Sequence, residues 1–292
     1  MTRIDESELI LTKENKVYHL HLSSEDIAPL VITVGDPERV NEVSKYFDAI
    51  EVRAKHREFV THTGRIGKKR ITVLSSGIGP DNIDIVMNEL DACVNIDFDT
   101  RTIKEQHTSL HIIRFGTSGS LQADIPVDSF VASTHGIGLD NVLHYYPMST
   151  TEIEKNILAS FLEQTSIQQS SIMPYVAEGS TELLSYFKEG YHHGITVTCP
   201  GFYAPQGRVV RAGLQFPTLV DELTHFRMGD LRITNFEMET SAIFGLGKVL
   251  GHSCLAINTI VANRVHKTFS KNSVKSIDEM IKKNLEMIST MP

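Results

Sequence analysis

Two short segments of this 292-residue chain combine glycine with arginine in a way suited to holding a small anion. The first is Val34-Gly35-Asp36-Pro37-Glu38-Arg39, where an apolar run ends at a glycine and a helix opens. Backbone N–H groups at such a helix start face outward, the helix dipole favours negative charge, and Arg39 sits one turn in. The second is Arg114-Phe115-Gly116-Thr117-Ser118-Gly119, read as a strand running into a glycine turn that carries two hydroxyls and an arginine. Glycine admits close approach of the backbone, and a guanidinium matches the paired oxygens of a phosphate. A third segment, Phe236-Glu237-Met238-Glu239, reads as the first turn of a helix. Its carboxylates serve the helix dipole, or else accept hydrogen bonds from a ligand's hydroxyls while the methionine packs on an apolar face.

These segments need a scaffold that brings them together. Ala28 to Val34 reads as a buried strand, and Asp36-Pro37 as the cap and first residue of a helix through Tyr46. Phe59 to Ile66 and Arg70 to Ser75 form a hairpin about Gly67-Lys68-Lys69, and Asp81 to Ala92 is helical. Asn95 to Ser109 is polar and turn-rich, an exposed insertion. Leu110 to Phe115, Phe130 to Thr134, Ile195 to Cys199 and Leu255 to Val261 read as strands, with helices over Thr151 to Gln164, Phe236 to Leu250 and Ser273 to Ile288. Strands alternating with helices, interrupted by an early hairpin, give an α/β chain: a three-layer α/β/α domain around a central mixed β-sheet. No composition break divides it, so residues 1–292 are expected to form one domain.

The bulk composition narrows the function. With 41% hydrophobic and 22% charged residues and a formal charge of −8, the chain is neither disordered nor a generic nucleic-acid or membrane-surface binder. Cys93, Cys199 and Cys254 are widely spaced, which argues against a disulfide scaffold or a zinc knuckle. Met1 to Lys16 lacks an apolar signal core, and no apolar run reaches 18 residues; a cytoplasmic location is expected. Motifs for dinucleotide binding, P-loop chemistry, zincin proteolysis and the hydrolase elbow are missing. The histidines of Tyr18-His19-Leu20-His21 and Tyr191-His192-His193-Gly194 lack a third ligand at suitable spacing, so no metal site is assigned, and His192 and His193 read as loop residues.

Taken in order, G-D-P-x-R, H-R-E-F (His56 to Phe59), S-S-G-I-G (Ser75 to Gly79), R-F-G-T-S-G and N-F-E-M-E-T-S-A resemble the nucleoside phosphorylase family, from about His19 to Arg264. Phe202-Tyr203-Ala204-Pro205-Gln206-Gly207-Arg208 is similar to the F-Y-x-x-Q-x-R stretch of its uridine phosphorylase branch. The late strand ends in Thr259-Ile260-Val261-Ala262-Asn263-Arg264 without the aspartate of the purine enzymes. The resemblance implies reversible phosphorolysis of uridine or deoxyuridine, with orthophosphate as co-substrate and no organic cofactor. It implies that Gly35, Arg39, Arg114 and Thr117 hold phosphate, with Arg57 supplied by a neighbouring subunit. Glu239 would bind the ribose hydroxyls, Met238 would pack under the sugar, and His19 of the neighbour would meet the 5′-hydroxyl. Phe202, Gln206, Arg208, Val261 and Ala262 would form the base site, with Gln206, Arg208 and Arg114 carrying the chemistry. Self-association as a homodimer with shared sites, or a hexamer, is implied, as is a monovalent-cation site involving Glu58, where Asn82 replaces a hydroxyl ligand. A nucleosidase of the same fold and a non-catalytic nucleoside sensor are the competing readings.

Overall fold

The structure, a computed structural model, describes residues 3–291. Met1, Thr2 and Pro292, which the expected domain includes, lie outside the described residues. Strand β1 (Leu30–Val34) is buried along its whole length, as expected for an apolar run in a sheet covered on both faces. Helix α1 (Pro37–Ser44) follows, its first turn set by Pro37 and by the Asp36 side chain accepting the Glu38 amide at 2.9 Å. It stops two residues short of Tyr46. Strands β2 (Ala49–His56), β3 (Phe59–Ile66) and β4 (Lys69–Ser75) form an antiparallel meander before helix α2 (Pro80–Asn95).

The stretch expected to be merely exposed carries a small hairpin, β5 (Ile96–Asp97) and β6 (Thr102–Ile103). Between its strands Arg101 is buried, and its guanidinium donates to the carbonyls of Ile4 and Asp5, so the insertion fastens the N-terminal segment. The chain continues through β7 (His111–Ser120), β8 (Phe130–Gly138), α3 (Glu152–Gln164), β9 (Tyr175–Glu178) and α4 (Thr181–Leu184). It then runs through β10 (His192–Thr198), α5 (Leu219–His225), β11 (Arg227–Met228) and β12 (Leu231–Glu237). Helix α6 (Thr240–Leu250), β13 (Ser253–Asn263), β14 (Thr268–Phe269) and α7 (Ser273–Thr290) complete it.

One mixed sheet, in the order β11-β12-β10-β8-β13-β7-β1-β4-β3-β2, carries the architecture. Successive residues of a strand face opposite sides, and the core follows that rule. Val31, Ile112 and Ala256 pack toward α2 and α6 with Val86, Leu90 and Phe244. Their neighbours Ile32, Ile113 and Leu255 pack toward α1 and α7 with Val40, Ile281 and Leu285. The expected layering of helix, mixed sheet and helix is present. The sheet is not open, however: Asn235 and Phe236 of β12 also pair with Ser120 and Gly119 of β7, so strands β7, β13, β8, β10 and β12 close into a ring. Register shifts in β10 and β13 supply the curvature that closure needs.

Three expectations are corrected here. The segment Gly116 to Gly119 is strand rather than turn: β7 leaves β1 after Arg114 but stays paired with β13 to Ser120. Phe236 and Glu237 end a strand and are not the start of a helix, which begins at Thr240. Strand β12 defeats an apolar-run reading because Thr234, Asn235 and Glu237 are buried yet polar, satisfied by one another and by neighbouring strands. His192 and His193 open β10 instead of lying in a loop. Among the described residues no helix is long and apolar enough to cross a membrane.

Candidate active site

Where β7 parts from β1, the C-terminal ends of parallel strands leave a crevice, the usual ligand position in an α/β sheet. It is a cavity of about 740 Å³ lined by Gly35, Arg39, Arg114, Thr117, Phe202, Gln206, Arg208, Met238, Glu239, Val261 and Ala262. Eleven of the thirteen side chains or backbones picked out in the sequence therefore meet in one place. Arg57 and His19 do not line it within this chain. The Arg57 guanidinium lies over the Tyr18 ring, 5.7 Å from its centre, and His19 Nδ1 is 2.6 Å from Glu89.

At one end Arg114 is buried and held between two carboxylates. Its Nη2 donates to Glu239, and its Nε lies 3.4 Å from Glu237. Burial alone would weaken its charge, but Glu239 and Glu237 overcome that and hold it more firmly protonated than an ordinary arginine. Arg39 lies close by; burial and the Arg114 charge both weaken its hold on its proton. Two neighbouring guanidinium groups, the Gly35 backbone and the Thr117 hydroxyl make a place where a dianion would relieve like-charge repulsion. Gly116 is what allows it. A Cβ there would sit 1.8 Å from Arg114 Nη1, so the guanidinium passes over the bare glycine. Gly116→Ala is accordingly expected to push Arg114 off Glu239 and reduce activity on the order of a hundredfold, the usual effect of an ångström-scale displacement. Steady-state rates of the folded variant check this, and near wild-type turnover would mean that the guanidinium is free to move aside.

Glu239 lines the crevice beside Arg114, its other oxygen accepting the Gly79 amide at 2.8 Å. Glu237 went unassigned from the sequence. It is buried and accepts from the Thr198 hydroxyl at 2.8 Å and from the backbone amides of Glu239 and Thr240 at 2.9 and 3.0 Å. Burial pushes its carboxyl above the usual range, Arg114 opposes this, and Glu239 adds to the rise. Its signal in the sequence was an acid two residues before Glu239 in a strand, on the side where Arg114 needed a second partner.

The far end is shaped by the loop after β10. A tight turn over Ala204–Gln206 ends at Gly207 in the left-handed region (φ 65°), where a Cβ would strike Val220 at 2.3 Å. The turn points the buried Gln206 side chain inward, and Arg264 Nη1 fastens its backbone carbonyl at 2.8 Å. Arg208 stacks on Phe202, 3.9 Å from the ring centre, and its Nη1 donates to Gln206 Oε1 at 2.6 Å and to the Phe202 carbonyl at 2.7 Å. Burial, aided by Arg264, makes Arg208 a somewhat stronger acid than usual. Val261 and Ala262 line the same wall although adjacent strand residues normally face apart. The register shift between Ile260 and Ala262 makes Val261 an extra residue, and that bulge turns both inward.

Glu58 and Asn82 also border the cavity. The Asn82 atom turned toward Gly77 is its amide nitrogen, a donor, and the Glu58 side chain lies on the same side of Gly77; two such residues fall short of the oxygen ligands that a hard cation takes. Elsewhere, Asp91, His107 and His252 bring potential ligand atoms within 4.8 Å of one another. His252 Nδ1 accepts the Leu110 amide at 3.2 Å, which leaves the proton on Nε2, the atom a metal would need.

The model of the phosphorylase superfamily matches residues 29 to 290, a span that contains every residue of the cavity lining. The chain belongs to the phosphorylase superfamily. It is 30% identical over 268 residues to uridine phosphorylase of Thermococcus kodakarensis, covering 90% of this chain and 83% of that protein. It is 27% identical to uridine phosphorylase of Escherichia coli over 87% of this chain and 88% of the relative. In three dimensions it superposes on a Trypanosoma brucei nucleoside phosphorylase described as showing uridine phosphorylase activity. The TM-score is 0.87 at 30% identity, with 97% of this chain and 100% of the other covered. These relatives each cover 87% or more of this chain.

Proposed function

We propose that the protein is a uridine phosphorylase, a pentosyltransferase that converts uridine and orthophosphate reversibly to uracil and ribose 1-phosphate, and that takes deoxyuridine likewise. The observation that carries the proposal is one cavity that gathers two clusters, Arg39 and Arg114 with Glu239, and Arg208 with Gln206 and Phe202, together with Gly35, Thr117 and Met238. The first cluster has the chemistry for a phosphate beside a pentose, and the second has the chemistry for a pyrimidine edge. Phosphate held at the first cluster attacks the anomeric carbon as the bond to the base nitrogen breaks through an oxocarbenium-like state. Holding the nucleophile against that carbon turns a bimolecular encounter into an oriented one. The bonding electrons leave with uracil, and Arg208 with the Gln206 amide stabilises the charge on its carbonyl oxygens until solvent returns a proton. Glu239 accepts hydrogen bonds from the ribose hydroxyls.

The deciding measurement is uracil release with and without phosphate. Release is expected to require phosphate, and arsenate to substitute for it; equal release in phosphate-free buffer would establish a nucleosidase instead. The position of Arg57 and His19 outside the crevice of a single chain supports the reading that the resemblance implies, a dimer whose neighbour supplies both residues. Mixed dimers of Arg57→Ala with Arg114→Ala are then expected to regain roughly a quarter of wild-type activity, because half the dimers are mixed and one site in each is intact. No recovery, with mixed dimers confirmed by mass, would place Arg57 in its own chain's site or outside catalysis. A monovalent cation at that interface, as the Glu58 resemblance implies, would need ligands from the second chain.

A further inference from the structure

Beneath the anion end lies an unmatched donor beside an unmatched acceptor. Arg114 donates through Nη2 and faces Glu237 through Nε, but its buried Nη1 has no hydrogen-bond partner. On the neighbouring strand Asn258 is wholly buried, and neither atom of its amide has a partner. The register of β7 on β13 sets Asn258 beside Gly116. The position a Cβ would take on Gly116 is 1.8 Å from Arg114 Nη1 and 2.4 Å from Asn258 Oδ1, so the two atoms face each other across the bare glycine with no other group between them. A buried amide left unpaired is destabilising, and Asn258 is the residue of β13 that faces Arg114 Nη1 across Gly116.

We propose that Asn258 is a positioning residue for Arg114, its side-chain carbonyl taking the Nη1 hydrogens when the guanidinium turns from Glu239 to an anionic substrate. The inference rests on the reading of Arg114 as a phosphate ligand. In the structure Glu239 holds the guanidinium through Nη2. Once phosphate competes for Nη2 and the sugar competes for Glu239, a third anchor is needed that does not itself carry charge. A carboxylate at that place would neutralise the arginine and weaken its hold on a dianion; an amide oxygen orients it and leaves the charge intact. Asn258 lies within β13 and outside the cavity lining, so it is a positioning residue and not a substrate ligand.

The test compares the wild type with Asn258→Leu, which fills the space without an acceptor, and Asn258→Ala, which opens room for a water to serve Nη1. At saturating uridine, Asn258→Leu is expected to raise the phosphate KM on the order of tenfold, the worth of one charge-assisted hydrogen bond. Asn258→Ala should stay within about threefold of wild type while having the lower thermal midpoint, because it leaves a cavity. A packing role predicts the reverse order in KM, and that order, or a wild-type phosphate KM in folded Asn258→Leu, overturns the inference. Should Asn258→Leu fail to fold, the isosteric pair Asn258→Thr and Asn258→Val replaces it: a higher phosphate KM in the valine variant supports the role, and equal values refute it. Wild-type uracil release that ignores phosphate would sink the phosphorylase reading itself, a separate result from any of these.

Discussion

Replacing Arg114 by alanine is expected to abolish measurable phosphorolysis and to destabilise the fold by about 3–5 kcal/mol, the usual cost of stripping one partner from a buried ion pair. The reason lies in what remains. Glu237 and Glu239 are both buried, and Arg114 is the cation that faces the two of them. Without it two carboxylates share a space in which neither is well solvated, and at least one must take up a proton to fold. Activity falls separately, since losing a preorganised contact to a developing or transferring anion removes on the order of a hundredfold to a thousandfold by itself. The two effects part in a double variant. Arg114→Met with Glu239→Gln removes one of the two stranded charges and their mutual repulsion, leaving Glu237 on its Thr198 and backbone donors, and should regain part of the urea midpoint, yet remain inactive. If Arg114→Ala keeps the wild-type midpoint, the carboxylates are better solvated than their burial implies.

Cytidine is expected to be a poorer substrate than uridine by about three to four powers of ten in kcat/KM, in the range known for sites built to pair with a polar edge. Uracil offers acceptors at O2 and O4 and a donor at N3. Gln206 Oε1 already accepts from Arg208, which fixes the amide with its nitrogen directed away and leaves one lone pair for the N3 hydrogen. Arg208 has only donors, so it suits O4. Cytosine sets an amino group against those donors and an unprotonated N3 against Gln206 Oε1. Rotating the Gln206 amide would mend the second mismatch but turn its nitrogen onto Arg208, so the pair resists adaptation as a unit. Inosine should also be poor, because no aspartate follows β13 to protonate a purine. Competition between cytidine and uridine decides the matter; values within tenfold would mean that the edge is read by other groups.

Much of this site was legible because its chemistry lies in local patterns. Gly35 to Arg39 carries its own helix start, with Asp36 and Pro37 as punctuation, and the structure keeps it. The segment Gly116 to Ser118 was recognisable by residue type but not by conformation. Glycine and hydroxyl residues in a row imply a turn, whereas here they permit a strand to run beneath a guanidinium and close against β12. Strand β12 escaped notice for a related reason: its burial is of polar groups, and an apolar period cannot reveal a strand whose inward residues are threonine, asparagine and glutamate. The partnership of Arg114 with Glu237 and Glu239 spans more than a hundred residues and depends on which strands adjoin, a fact that no local window contains. Likewise the double inward turn of Val261 and Ala262 comes from a bulge set by pairing with β7.

The contact between Arg114 and Glu239 has a thermodynamic consequence. It joins the group that would receive one substrate to the group that would receive the other, so each is the other's counter-ion. Whichever ligand arrives first must open that contact; the second then finds its own partner already released. On the proposed reading, phosphate and nucleoside would be linked ligands with a positive coupling free energy, and linkage would make the effect reciprocal: each would tighten the binding of the other by the same factor.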